Sequence, residues 1–210
     1  MKIIRATTVP ESLDSFCRGF LKILSEKYEV VALSSPGKEM QTIAEREGVR
    51  TITVPMERHI SLLKDFKALW QMIQVFRKER PDMVHSMTPK AGLLCMVAAW
   101  LTNVPVRVHT FTGLVFPTAN GLQRRLLMFT DSITCKCATH VIPEGEGVKR
   151  DLFDYGITNK DIKARTSATG KTRPASSWPA WTGPTAWSAT ALRSCSMSLA
   201  SRYLSPAYFN

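Results

Sequence analysis

The feature that most constrains the fold is a regular alternation of short β-branched runs with longer amphipathic segments over residues 1–163. The segments predict helices at 15–28, 38–47, 61–78, 90–101, 122–138 and 146–154, with a loop at 10–13. The runs predict strands at 2–6, 29–34, 49–55, 83–86, 104–110 and 140–143. Strands separated by helices indicate a parallel sheet covered on both faces. Right-handed crossovers then make residues 1–163 a doubly wound, Rossmann-like α/β domain.

Apolar spacing also predicts which side chains face the core. In the helix at 15–28 the apolar positions that share one face are Phe16, Phe20, Ile23 and Leu24. In the long helix at 61–78 they are Leu62, Phe66, Leu69, Ile73 and Phe76. Both patterns are typical of a helix that packs one stripe onto a sheet.

The charge of the chain is unevenly distributed. The 210 residues carry a formal net charge of +11, yet residues 164–210 hold five Lys or Arg and no acidic residue. The basic excess therefore comes partly from this Ser/Thr/Ala/Trp-rich tail, and nucleic acid is not expected as a partner.

Composition excludes several other classes. The longest apolar run, at 91–101, is too short to cross a bilayer, and polar residues at positions 5, 7 and 8 argue against a signal peptide. A cytoplasmic protein is expected, with its five cysteines as reduced thiols. No Gly-x-Gly-x-x-Gly, Walker A or His-Glu-x-x-His motif is present, so neither a cofactor nor a metal is predicted.

Ligands of doubly wound sheets bind beyond the carboxyl ends of the strands. In this sequence that rule selects the loops at 7–13, 86–91, 110–117 and 144–147. Three of these loops carry distinctive sequences: TVPESL at 8–13, VHSMTPKAGL at 84–93 and VHTFTGL at 108–114.

In combination, these motifs resemble those of bacterial family 4 glycosyltransferases that build capsular and other surface polysaccharides. The resemblance covers residues 1–163 and implies a GT-B enzyme with two Rossmann-like domains facing a cleft and no metal. It implies that this domain shapes the acceptor side, while a second domain holds most of the nucleotide-sugar donor through a Glu-x7-Glu motif. The implied acceptor is a glycan or lipid-linked sugar, often at the inner membrane face.

Sugar transfer places negative charge on the departing diphosphate, which helix N-termini and backbone N–H groups at strand ends can stabilise. No catalytic residue is assigned. The predicted substrate-binding residues all lie in the selected loops or beside them: Ser12, His85, Thr88, Lys90, Thr110, Thr112, Gly113, Glu144 and Glu146.

Each of the charged candidates has a second interpretation. Lys90 either touches ligand or is a solvated lysine at a helix start. His85 either binds a sugar hydroxyl or is a buried, hydrogen-bonded histidine. Glu144 and Glu146 either bind a substrate hydroxyl, or Glu146 favours the positive end of the following helix.

Two motif matches are set aside. Related enzymes often have Thr-x-His-Gly or Thr-x-Arg-Gly after the fifth strand, where this chain has Thr112 in place of the basic residue. His109 lies three residues earlier and is expected to face the opposite way. Glu39 and Glu47 fit Glu-x7-Glu but lie on a polar helix, whose solvated face is the simpler explanation.

The tail at 164–210 is hypothesised to be translated out of frame, because a shifted reading of 166–170 can spell Ile-Gly-Asn-Gly. The alternative is a genuine disordered or membrane-touching tail, and the coding DNA distinguishes the two. The out-of-frame hypothesis predicts little or no turnover from this chain alone, for lack of a donor-binding domain.

Other functions stay open at this stage. Basic residues at 64, 67, 77, 78, 80, 124 and 125 lie beside apolar ones, so the helices either touch an anionic inner membrane or present solvated faces. The scaffold also suits a non-catalytic module that binds a glycan or lipid-linked sugar, or part of a nucleotide-sugar 2-epimerase.

Overall fold

The computed structural model describes residues 1–57 and 61–159, which form one six-stranded sheet with helices on both sides. All strand pairs are parallel, in the order β3-β2-β1-β4-β5-β6. The strands are β1 (Lys2–Ala6), β2 (Glu29–Ser34), β3 (Arg50–Thr53), β4 (Met83–Ser86), β5 (Val106–Phe111) and β6 (His140–Pro143). The order reverses between β1 and β4, which defines the topological switch point of a doubly wound fold.

Within residues 1–57 and 61–159, seven α-helices connect and follow these strands. They are α1 (Pro10–Cys17), α2 (Phe20–Ser25), α3 (Glu39–Glu47), α4 (Leu62–Glu79), α5 (Pro89–Leu101), α6 (Gly121–Cys137) and α7 (Glu146–Asp154). A 3-10 turn at Phe116–Thr118 lies between β5 and α6. The predicted Rossmann-like architecture is therefore confirmed, with every predicted strand present.

The core consists of layers on the two faces of the sheet. On one face α1, α2 and α3 pack onto Val30 and Ala32 of β2. On the other face α4, α5 and α6 pack onto Ile4, Val31 and Val84. Because consecutive strand residues point to opposite faces, the near-continuous apolar runs of β1 and β2 serve both layers at once.

The segment after β1 differs from the prediction. Residues 10–13 were expected as a loop and 15–28 as one helix, but α1 already begins at Pro10, and α2 follows separately. Proline suits the first helical turn, where its missing N–H has no intrahelical partner. The chain breaks at Gly19, whose φ of 72° is the left-handed conformation that glycine adopts most readily.

The predicted core face of α4 is correct only in its second half. Ile73 and Phe76 are buried, whereas Leu62 and Phe66 are 81% and 71% exposed. Ile23 of α2 is exposed as well. Periodicity identifies the stripe of a helix but not where the sheet beneath it ends, so the first turns of α4 keep an uncovered apolar stripe.

Several expectations concern residues 160–210 and lie outside the described residues, including the tail hypothesis and Cys195. The four cysteines within 1–57 and 61–159 are free thiols, three of them buried. In that same part of the chain, no helix combines the length and apolarity needed to cross a bilayer.

Candidate ligand-binding edge

The carboxyl ends of β1 and β4 are joined by threonines at the switch point. The amide of Thr8 donates to the Thr88 hydroxyl at 2.8 Å, and the two hydroxyl oxygens lie 2.7 Å apart. The Ala91 amide in the first turn of α5 donates to the Thr8 hydroxyl at 3.1 Å. The crevice where this fold binds ligands is thus lined by hydroxyls and by the N-terminus of α5.

Ser35, just after β2, connects the next loops to this crevice. Its hydroxyl lies 2.6 Å from the carbonyl oxygen of Thr8 and 2.7 Å from that of Met56, and it accepts the Met56 amide at 2.9 Å. The loops after β1, β2 and β3 therefore hold one another, and the edge is preorganised by the fold.

A polar row crosses the central strands just beneath this edge. Arg5 of β1 lies beside His85 of β4 in the parallel register, and a guanidinium nitrogen is 2.6 Å from His85 Nδ1. The other ring nitrogen, Nε2, is 2.8 Å from the hydroxyl of Thr110 on β5. All three residues are buried. His85 thus matches the second interpretation, a buried histidine with both nitrogens engaged.

The guanidinium of Arg5 is held by neutral groups. Beyond His85 it contacts the sulfur of Met87 at 3.1 Å and lies 5.0 Å from the ring centre of Phe20. Across the described residues no carboxylate lies within ion-pair distance of it, and its Nε has no hydrogen-bond partner. Burial, with the charge of Arg5, lowers the pKa of His85 well below its ordinary value, so the imidazole is neutral.

His109 lies on the opposite face, as the alternation along β5 predicts. Its Nδ1 is 2.8 Å from the Ser86 hydroxyl, and its ring fills the space where a side chain at Gly92 of α5 would project. Burial lowers the pKa of His109 to about 3. A neutral imidazole sealed under α5 does not reach the ligand edge.

Lys90, in the first turn of α5, forms an ion pair with Asp65 of α4 at 2.8 Å. Both side chains are largely buried, and Asp65 also accepts the Ser61 amide at 3.1 Å. Neither predicted interpretation of Lys90 included this pair, which ties the starts of α4 and α5 together beside the crevice.

The remaining predicted residues lie at the same edge without forming one cluster. Ser12 is half-buried in the first turn of α1, and the Thr112 hydroxyl donates to the Met87 carbonyl at 3.3 Å. Gly113 has φ 153° in an exposed loop. The Glu144 amide donates to the Phe111 carbonyl at 3.0 Å, while Glu146 is exposed at the start of α7.

The predicted solvated face of α3 is wrong at Glu47. Its carboxylate is buried and accepts the amides of Gly19 at 2.8 Å and Lys22 at 3.2 Å, with Arg46 paired to it at 2.8 Å. Glu47 therefore satisfies free amides at the start of α2. Glu39, the other half of the apparent Glu-x7-Glu motif, is half-buried at the start of α3.

The amino-terminal edge of the sheet has a different chemistry. There Glu79 pairs with Arg50 at 2.5 Å and with Lys2 at 3.1 Å. Hydrogen bonding from Arg50 lowers the pKa of Glu79 to about 2, so the charges on this edge neutralise one another. Only the carboxyl edge combines hydroxyls with a buried cation that lacks a carboxylate partner in the described chain.

Sequence reasoning missed Thr8, Asp65 and Arg5. The signal for Arg5 was available, because it occupies an inward position of a central strand, where a charge is rare. No comparable signal identified Asp65, whose partner lies 25 residues away.

The family model described as "Glycosyl transferase 4-like domain" matches residues 21–164. The chain is 34% identical over 161 residues to the capsular polysaccharide biosynthesis glycosyltransferase CapM of Staphylococcus aureus, covering 76% of this chain and 41% of that protein.

A second curated relative is the UDP-Gal:alpha-D-GlcNAc-diphosphoundecaprenol alpha-1,3-galactosyltransferase of Escherichia coli. It is 36% identical over 98 residues, which is 46% of this chain and 25% of that protein. This chain therefore spans less than half the length of either relative.

Among solved structures, the UDP-GlcNAc 2-epimerase of Methanocaldococcus jannaschii, in complex with UDP-GlcNAc and UDP, superposes with a TM-score of 0.59. It is 16% identical, covering 78% of this chain and 46% of that one. At this identity the likeness concerns the fold alone.

Proposed function

The chain belongs to the family of glycosyl transferase 4-like domains, and on that premise we propose that it forms the acceptor-side part of a glycosyltransferase. The reaction is transfer of a sugar from a nucleotide-sugar donor to a glycan or lipid-linked acceptor in cell-surface polysaccharide synthesis. Residues 1–163 are the proposed domain. Two curated glycosyltransferases similar to it, one a capsule enzyme and one named for a diphosphoundecaprenol-linked acceptor, support this assignment.

The observation that carries the proposal is the meeting of three strand-end loops at one hydroxyl-lined edge. The Thr8–Thr88 pair closes the crevice between β1 and β4. The Thr112 hydroxyl donates a hydrogen bond to the Met87 carbonyl in the loop after β4. Hydroxyls and helix N-termini suit a sugar diphosphate, because sugar hydroxyls both donate and accept hydrogen bonds and diphosphate oxygens accept them. The edge is thus assigned to binding and orienting the acceptor.

An NMR titration tests this assignment without requiring turnover. The ¹⁵N-labelled chain is titrated with N-acetylglucosamine linked through a diphosphate to a short prenyl chain. Amide shifts are expected in the loops at 7–13, 86–91 and 110–117, with Arg50 and Glu79 at the opposite edge as internal controls. Shifts confined to the opposite edge, or their absence, would contradict the proposal.

The second candidate is a non-catalytic module that binds the same ligand. It is favoured by Thr112, which stands where related enzymes often have a histidine or an arginine. Transferase assays with and without a donor-binding domain from a family member, supplied in trans, discriminate between the two. Sugar transfer that depends on the added domain supports the enzyme. Ligand binding that never leads to transfer supports the module.

We also propose that the protein is cytoplasmic and associates with the inner face of the membrane through the start of α4. Leu62, Leu63 and Phe66 are between 71% and 87% exposed, with Lys64 and Lys67 interleaved. Leu122 and Phe129 of α6 are exposed too, beside Arg125. Apolar side chains flanked by cations suit insertion into an anionic bilayer surface.

Co-sedimentation with vesicles tests this surface. Binding to vesicles that contain phosphatidylglycerol is expected to fall at least about tenfold in Leu63→Ser/Phe66→Ser. Each buried CH₂ contributes about 0.8 kcal/mol, so the loss of only two of them already corresponds to about tenfold. Trp100→Ser/Leu101→Ser, on the exposed far end of α5, is the matched control and should bind as wild type does. Equal losses in both variants, or equal binding to neutral vesicles, would contradict the proposed surface.

A further inference from the structure

The hydrogen-bond directions in the polar row of Arg5, His85 and Thr110 follow from chemistry. Arginine can only donate, so Nδ1 of the neutral His85 accepts, and its Nε2 carries the proton. That proton is donated to the Thr110 oxygen, 2.8 Å away. The row therefore runs in one direction, from the buried cation toward the carboxyl end of β5.

The hydroxyl of Thr110 ends this row. Its oxygen already accepts from His85, and within the described residues no protein acceptor takes the hydroxyl proton. Thr110 is next to last in β5, two residues before Thr112 and close to the loop that follows. A hydroxyl that accepts from a row polarised by a cation becomes a better donor to the next group.

The buried charge of Arg5 is energetically unfavourable for the folded protein. Arg5 is 4% exposed, and arginine side chains stay charged in proteins. Among the described residues, only neutral acceptors surround its guanidinium. Burying a charge without a counter-charge is expensive, and an apolar side chain at this position would avoid that expense. A buried residue that destabilises the fold is typically kept because function needs it.

We infer that Arg5 and His85 are positioning residues, which hold the hydroxyl of Thr110 as a hydrogen-bond donor to a phosphate oxygen of a sugar diphosphate bound at the carboxyl edge. This inference rests on the proposed function and specifies it. The guanidinium contributes positive potential beneath the edge, and Thr110 makes the contact. The ligand is therefore discriminated by its charge as well as by its sugar.

Calorimetric binding of the same prenyl-diphosphate-linked N-acetylglucosamine tests the contact. Thr110→Val keeps the shape and removes the hydroxyl, and its affinity should fall about tenfold, as for a hydrogen bond to a charged group. Thr110→Ser restores the donor and should bind within about threefold of wild type. Thr134→Val makes the same replacement at a buried threonine of α6, outside the predicted binding loops, and should leave the affinity unchanged.

A double variant separates positioning from a structural role. Arg5→Met/His85→Leu replaces the buried charge and its acceptor with apolar groups, so Tm is expected to stay equal or rise while affinity falls as in Thr110→Val. A purely structural role predicts a lower Tm and an affinity that Thr110→Val does not reproduce. If the double variant does not fold, the structural role holds for Arg5 and the inference about it fails.

The two proposals fail in different ways. Wild-type binding that Thr110→Val leaves unchanged overturns the positioning inference and leaves the proposed function standing. Absence of wild-type binding to the sugar diphosphate overturns the acceptor assignment and the inference with it. Binding of the neutral sugar as tight as that of the sugar diphosphate overturns the inference alone.

Discussion

Two buried histidines on adjacent strands lie on opposite faces of the sheet and have different surroundings. His85 contacts a buried cation on one side and a hydroxyl near the ligand edge on the other. His109 contacts Ser86 and is sealed against Gly92 of α5. Both are neutral for the same reason, which is burial. Burial and a lowered pKa are therefore common to both rings, and what differs between them is their hydrogen-bond partners.

His109 is assigned to packing. Gly92→Ala tests this role and has the largest effect on stability that we expect. A Cβ at position 92 overlaps the imidazole, which Ser86 and the sheet hold in place. The free energy of unfolding should decrease by about 2–3 kcal/mol, as for other overpacked cores, in denaturant melts. Gly145→Ala, where an added Cβ meets nothing within 4 Å, is the matched control. Equal stability of both variants would show that this face is loosely packed.

The two faces should behave alike toward acid. The unfolded chain protonates each histidine below about pH 6.5, while the folded pKa of His109 is about 3 and that of His85 is also lowered. The unfolded state then binds more protons, so stability should decrease as the pH falls from 6.5 to 5, by up to about 1.4 kcal/mol per pH unit for each histidine. Unfolding melts across this window measure the slope.

Asp131 changes the folding stability in the opposite direction to the histidines between pH 6.5 and 5. Burial raises its pKa from 3.8 to about 7, so the folded state binds the extra proton and this group adds stability as the pH falls. Asp131→Asn should therefore steepen the acid-induced loss between pH 6.5 and 5. It should also stabilise the protein above pH 7, where a buried carboxylate is costly. An unchanged slope would mean that Asp131 is solvated.

The smallest effect expected is that of Ser86→Ala. It leaves Nδ1 of His109 without its partner, which should cost about 1 kcal/mol in the free energy of unfolding. Thermal melts measure the loss, and the prenyl-diphosphate sugar should bind unchanged. A loss of ligand affinity here would erase the distinction between the two faces.

Most of the fold could be predicted from the sequence because strand and helix periods are local. The bounds of β1, β2, β4 and β6 match their predictions, and Gly48 ends α3 in the left-handed conformation. The break at Gly19 was missed, because apolar spacing continues across it. The exposed start of α4 was missed because it depends on where the sheet ends.

The site was less predictable, because its contacts join distant strands. The strand-end loops could be selected from topology alone, and the expectation that His109 faces the opposite side of the sheet is confirmed. Lys90 and Asp65 pair across 25 residues, and Glu47 supports α2 from a different helix. The spacing of residues along one helix or strand does not predict which side chain on another element will contact them.

Long-range ¹H–¹⁵N spectra of the two histidine rings, with and without the prenyl-diphosphate-linked sugar, test the central claim most directly. Ligand at the carboxyl edge should shift the ring nitrogens of His85 through Thr110 and leave those of His109 unchanged. Equal shifts in both rings, or a shift in His109 alone, would contradict the assignment of one face to ligand and the other to packing.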